Sequence, residues 1–196
     1  MSETRSGTRA SPDWDALQDL AVAQAGYFTT AQAAELGFSP ELLHYHCRRG
    51  RILRARRGVY RIRHLPAQDD EQLVELWLWS DRRGVFSHET ALALYDLSDV
   101  LPARVHMTVP AGWRRRRLRV PEVLRLHFAD LADGEHQWVG HVPVTAPGRT
   151  LRDCVAISLQ PDLLRQALET GLARGRFADG EVLGVRSYVE HFGEAR

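Results

Sequence analysis

Lysine is absent from the 196 residues: all 26 basic side chains are arginine, set against 25 acidic ones. Its absence removes the Gly-Lys-Ser/Thr phosphate loop, Schiff-base chemistry at a lysine amine, and the lysine of the common Asp/Glu-x-Lys nuclease core. Cysteine is nearly absent too. Cys47 and Cys154 alone cannot build a disulfide framework, so a reduced, cytoplasmic setting is expected. No apolar run approaches the roughly 18 to 20 residues that cross a bilayer, so no membrane helix is expected. Residues 1–12 are polar with no apolar stretch and read as a disordered leader rather than a signal peptide. The chain as a whole, with 44% hydrophobic and 26% charged residues, is ordinary globular protein of one or two domains.

The formal net charge of +1 conceals a strong segregation. Residues 41–64 carry eight arginines against Glu41 alone, and residues 103–121 carry six arginines and no acid. The intervening residues 65–102 hold two arginines against eight acids. A compact basic block is an electrostatic footprint for a polyanion, because neutralised phosphates release condensed counterions. Charge alone fits a solvated face as well. The surrounding pattern decides between them.

Apolar spacing predicts a helix over residues 12–25, with Ser11 as cap and Pro12 in the first position. Gly26 stops it, and Tyr27-Phe28 reads as a short extended link. Thr30 is expected to cap a second helix to Leu36. Ser39-Pro40-Glu41 places cap, proline and first-turn acid at the head of a third, which Gly50 closes. Helices joined by a short glycine-containing turn suggest a helix-turn-helix. The runs Ile52–Arg54 and Val59–Ile62, joined around Gly58, read as a hairpin, which completes a winged helix.

On the third helix, Leu43, His46 and Cys47 share one face, with Leu42 at its edge, while Glu41, His44, Tyr45 and Arg48 share the other. The second set is expected to enter a DNA major groove, with Arg48 and Arg49 as candidates for guanine edges or phosphates. Wing arginines Arg51, Arg54, Arg56 and Arg57 suit phosphates or the minor groove. Thr30, Gln32 and Ser39 complete the expected DNA-binding set. Winged helices also serve protein contacts, but a block of eight arginines favours double-stranded DNA.

From residue 65 onward, helical stripes and alternating strands predict a mixed α/β domain, making the whole chain α+β. Helices are expected over residues 69–83, 88–95, 147–157, 161–174 and 180–191. Strands are expected at 85–86, 104–109, 123–128, 137–139 and 141–144. Arg149 and Asp153 stand four apart as an expected surface pair. The second basic patch, Arg104 with Arg114, Arg115, Arg116, Arg117 and Arg119, suits DNA, an acidic partner face, or plain solvation. No metal or cofactor is expected: His44-Tyr45-His46-Cys47 lacks the remaining ligands of a zinc site. Asp69-Asp70-Glu71 is explained by a helix N-terminus, and the nine histidines are scattered. No nucleophile–base grouping is legible, so the chain is not expected to be an enzyme.

Several motifs in series resemble the AbiEi-type antitoxins of bacterial type IV toxin–antitoxin systems. They are Tyr27-Phe28-Thr29-Thr30-Ala31-Gln32-Ala33, Ser39-Pro40 to His46, Arg48-Arg49-Gly50-Arg51-Ile52 and Arg57-Gly58-Val59-Tyr60. Beyond the wing follow Phe86-Ser87-His88-Glu89-Thr90-Ala91-Leu92, Val105-His106-Met107-Thr108-Val109-Pro110, Val142-Pro143-Val144-Thr145 and Arg149-Thr150-Leu151-Arg152-Asp153. The resemblance implies a winged helix that represses its own promoter at inverted repeats. It also implies a C-terminal domain that neutralises a nucleotidyltransferase-like toxin encoded beside it, and a role in phage defence. It assigns no neutralising residues. A stand-alone winged-helix regulator with a partner- or ligand-sensing domain is the other reading. Paired half-sites would suit a homodimer on DNA, or monomers binding cooperatively.

Overall fold

The computed structural model describes residues 11–193, which divide between Arg82 and Arg83 into two compact units. Apart from Ser11 and Pro12, the leader expected over residues 1–12 lies outside the described residues.

The first unit runs α1 (Trp14–Val22), β1 (Tyr27–Thr29), α2 (Thr30–Glu35), α3 (Pro40–Arg48), β2 (Ile52–Arg56), β3 (Val59–Ile62) and α4 (Glu71–Trp79). Helix α1 starts later than Ser11-Pro12 suggested. Asp13 is the cap, its Oδ1 accepting from the Ala16 backbone N–H at 2.9 Å. Helix α2 is capped one residue early, by Thr29 rather than Thr30. Thr29 has Gln32 three residues on, and the two close a capping box. The expected extended link is a strand: β1 pairs antiparallel with β3, Tyr27 opposite Arg61, giving a three-stranded sheet in the order β1-β3-β2. Leu17, Ala21, Phe28, Ala33, Phe38, Leu43, Ile52 and Ile62 form the core. Each large member contributes roughly 1.5 to 3 kcal/mol by leaving water.

The first unit also extends past the domain edge expected after His64. Helix α4 lies against β1, β2 and β3, and Glu75 and Glu71 pair with Arg56 and Arg61 of the wing strands. Helix α4 buries Val74, Leu76, Trp77 and Leu78 and sets two acids on the basic hairpin, so the unit continues to Arg82.

The second unit contains a five-stranded mixed sheet in the order β6-β5-β4-β8-β7. Its strands are β4 (Val85–Phe86), β5 (Val105–Val109), β6 (Leu124–Phe128), β7 (His136–Val139) and β8 (Val142–Thr145), with helices α5 (His88–Leu94), α6 (Pro147–Ala156), α7 (Pro161–Ala173) and α8 (Leu183–Gly193). Short 3-10 helices occupy Ala111–Arg115 and Asp179–Val182. Strands β7 and β8 turn at Gly140, whose φ of 57° is a left-handed conformation that glycine adopts without strain. The Arg149–Asp153 pair is partly buried rather than superficial. Arg149 donates to Asp153 at 2.8 Å and to Glu135 at 2.6 Å, so two acids converge on one guanidinium.

Candidate nucleic-acid interface

Helix α3 forms where its punctuation says it should. Ser39 Oγ accepts from the Leu42 backbone N–H at 3.2 Å, and Pro40 needs no partner for its missing N–H. Leu43 is fully buried, and the ring of His46 lies 4.9 Å from that of Trp14 and 6.1 Å from that of Phe38. Burial, seconded by the charge of Arg51, pushes His46 below the usual histidine range and keeps it neutral. The opposite face is exposed: Glu41, His44, Tyr45, Arg48 and Arg49 line one shallow hollow, with the Arg49 guanidinium 5.4 Å from the Tyr45 ring centre. The face division expected from helical periodicity is the one observed.

Other members of the expected set stand differently. Gln32 is 4% exposed and belongs to the interior. Its Oε1 accepts from the Thr29 N–H at 2.9 Å, and its Nε2 donates to Gln24 Oε1 at 2.9 Å. The cap uses up the side chain, so Gln32 is removed from the surface set. Ser39 is occupied by its own cap. Thr30, half-buried, holds the wing: its N–H donates to the Gly58 carbonyl at 2.9 Å.

On the wing, the arginines that look alike in sequence separate. Arg56 forms an ion pair with Glu75. Arg61 donates to the Leu65 carbonyl at 3.0 Å and lies 3.4 Å from Glu71. Arg51, Arg54 and Arg57 are exposed, as is Arg63, which sits beside Arg51 at the base of the hairpin and was missing from the expected set. Only its alternation with Arg61 across Ile62 pointed to it. Arg48, Arg49, Arg51, Arg54, Arg57 and Arg63 therefore present six exposed guanidinium groups at α3 and the wing.

The second basic patch lies in the second unit. Arg104 precedes β5, Arg114 and Arg115 fall in the first 3-10 helix, and Arg116, Arg117 and Arg119 follow, all exposed. Arg114 lies 5.6 Å from the Phe128 ring centre and Arg116 4.7 Å from that of Trp113, so aromatic faces hold two of the six.

Not every histidine is scattered. His88, His106 and His127 meet in the second unit, a convergence that spacing along the chain does not reveal. Burial, more than any neighbouring charge, pushes His88 down to about 3 and His106 and His127 each to about 4. The described residues contain no helix long and apolar enough to cross a membrane.

Residues 15–63 match the family described as transcriptional regulator, AbiEi antitoxin. The match spans the three helices and the wing, and none of the second unit. Among solved structures, the RV2827C protein from Mycobacterium tuberculosis is 14% identical. The match covers 94% of this chain and 75% of that one, with a TM-score of 0.52, a likeness of fold alone. No curated protein matches the chain.

Proposed function

We propose that this chain, whose winged helix matches the AbiEi antitoxin regulators, binds double-stranded DNA and represses its own promoter at inverted repeats. Helix α3 enters the major groove, where Arg48 and Arg49 suit guanine O6 and N7 and His44 and Tyr45 suit base edges or phosphates. Arg51, Arg54, Arg57 and Arg63 grip phosphates or the minor groove beside it. The six exposed arginines on one helix face and its adjoining hairpin carry this reading. The second unit neutralises a nucleotidyltransferase-like toxin, and the Arg104 and Arg114–Arg119 patch either extends the DNA face or docks an acidic toxin surface. Reversing the charge of Arg115 and Arg116, with DNA and toxin binding measured separately, decides which.

One observation favours a second reading. The family match ends at residue 63, which leaves room for a stand-alone regulator whose second unit senses a partner or small molecule. Co-expression with a neighbouring nucleotidyltransferase-like reading frame separates the two. Growth rescue by the full chain supports the antitoxin, and unrelieved toxicity leaves the regulator. Footprinting of the upstream region tests repression in both: protected inverted repeats are expected, and uniform cleavage refutes the DNA reading.

A further inference from the structure

Buried His88 and His106 and half-buried His127 are brought together by sheet register. Strands β5 and β6 run parallel, with Thr108 opposite His127. His106 lies two residues before Thr108 and so shares its face of the sheet. His88 opens α5 directly after β4, the strand on the other side of β5. It does so at a φ of 54°, a left-handed conformation uncommon for a non-glycine residue and kept only where the surroundings over-determine it.

The ring nitrogens then converge. His127 Nε2 lies 3.3 Å from His106 Nδ1, and one nitrogen from each of the three rings falls within 4.8 Å of the others. The far side of the His88 ring is held. His88 Nδ1 meets Ser87 Oγ at 2.9 Å, while Thr108 Oγ1 donates to the same oxygen at 2.8 Å. His106 Nε2 faces Glu89 Oε1 at 3.9 Å. A hydroxyl oxygen accepts two hydrogen bonds, so Ser87 can fix the Nδ1–H form of His88 and leave its Nε2 a lone-pair donor. A hydrogen-bond partner on the outer nitrogen, as Ser87 is for His88, is how proteins orient a ligating imidazole.

We propose that His88 Nε2, His106 Nδ1 and His127 Nε2 bind one divalent transition-metal ion, with Zn2+ the best fit. Neutral imidazoles suit zinc, and three of them leave a fourth position for water. Zinc–nitrogen bonds of about 2.0 to 2.1 Å put tetrahedral ligand atoms about 3.3 to 3.4 Å apart, the spacing His106 and His127 already have. The His88 and His127 rings stack with centroids 3.5 Å apart and planes 17° from parallel, so closing the third corner takes a movement of about 1.5 Å at most and a turn of one ring out of that stack. All three ligands lie in the second unit, and the site is independent of the DNA reading.

The test uses the full chain purified without a histidine tag, incubated with Zn2+ and dialysed, with metal counted by mass spectrometry. About one zinc per chain is expected to remain, and Co2+ in its place should give the intense visible bands of a tetrahedral site. His88→Asn, chosen because asparagine tolerates the left-handed conformation, and His127→Gln should each lose the metal, while His64→Gln keeps it. Zn2+ should raise the melting temperature of the native chain and not of the two ligand variants. Zinc retained equally by native chain and ligand variants overturns the site. Absence of cobalt bands in the native chain overturns it even if a variant fails to fold, and would leave the histidines as a hydrogen-bonded cluster.

Discussion

Arg56→Gln and Arg57→Gln separate two neighbours that the sequence makes equivalent. Arg57 is exposed at the wing turn, whereas the Arg56 side chain is 34% exposed and paired with Glu75. An arginine already neutralised by a carboxylate has no free charge to exchange for a phosphate's counterion. Each phosphate contact contributes about 0.9 to the slope of log affinity against log salt, so six exposed arginines on phosphates give a slope of about −5. Arg57→Gln should bring it to about −4. Over a fourfold salt range that one contact corresponds to a difference of about 3.5-fold in affinity. Arg56→Gln should leave the slope unchanged and act on stability instead. It strands Glu75, at a cost of about 0.2 to 1 kcal/mol after solvent screening. Fluorescence anisotropy with upstream DNA across a salt series reads the first effect, and thermal denaturation the second. Equal loss of slope in the two variants would refute the assignment of Arg56 to Glu75.

Gln32→Ala should cost about 1 to 3 kcal/mol in denaturant unfolding, because it leaves the Thr29 N–H without its acceptor and the buried Gln24 Oε1 without its donor; the salt slope of the surviving fold should not move. His46 is held neutral, its folded pKa below its unfolded one. Its contribution is therefore complete above about pH 6.5 and is lost as pH falls through the lowered folded value. His46→Leu should flatten that part of the acid-side stability loss, and an unchanged pH profile would contradict the burial argument. Gly171→Ala drives a methyl into the buried Phe177 ring and should cost about 1 to 3 kcal/mol. Phe177→Leu in the same chain should recover part of that, and a melting curve unaffected by Gly171→Ala would show the contact to be slack.

What could be read from sequence was whatever local chemistry dictates. Ser39-Pro40-Glu41 and Gly50 bracket α3, and Gly58 marks the wing turn, because caps and turns are decided within a few residues. The misplaced cap of α2 was also legible: Gln32 stands three residues after Thr29, not after Thr30, and that offset selects the capping residue. Everything lost depended on distant partners. Residues 27–29 are too short to announce a strand, and they become one only by pairing with β3. The acidic run Asp69-Asp70-Glu71 looked like an ordinary helix start until Glu71, with Glu75 one turn on, met Arg61 and Arg56. The histidine cluster depends on the register of two parallel strands, and no local spacing encodes that.

The most decisive experiment is the affinity of the full chain for its own upstream DNA, followed from low to moderate salt. Tight binding at low salt that weakens with a slope of about −5, competed poorly by unrelated duplex, is the predicted result. A chain that folds fully yet shows no binding at low salt, or binding indifferent to salt, would contradict a DNA grip built on the six arginines of α3 and the wing.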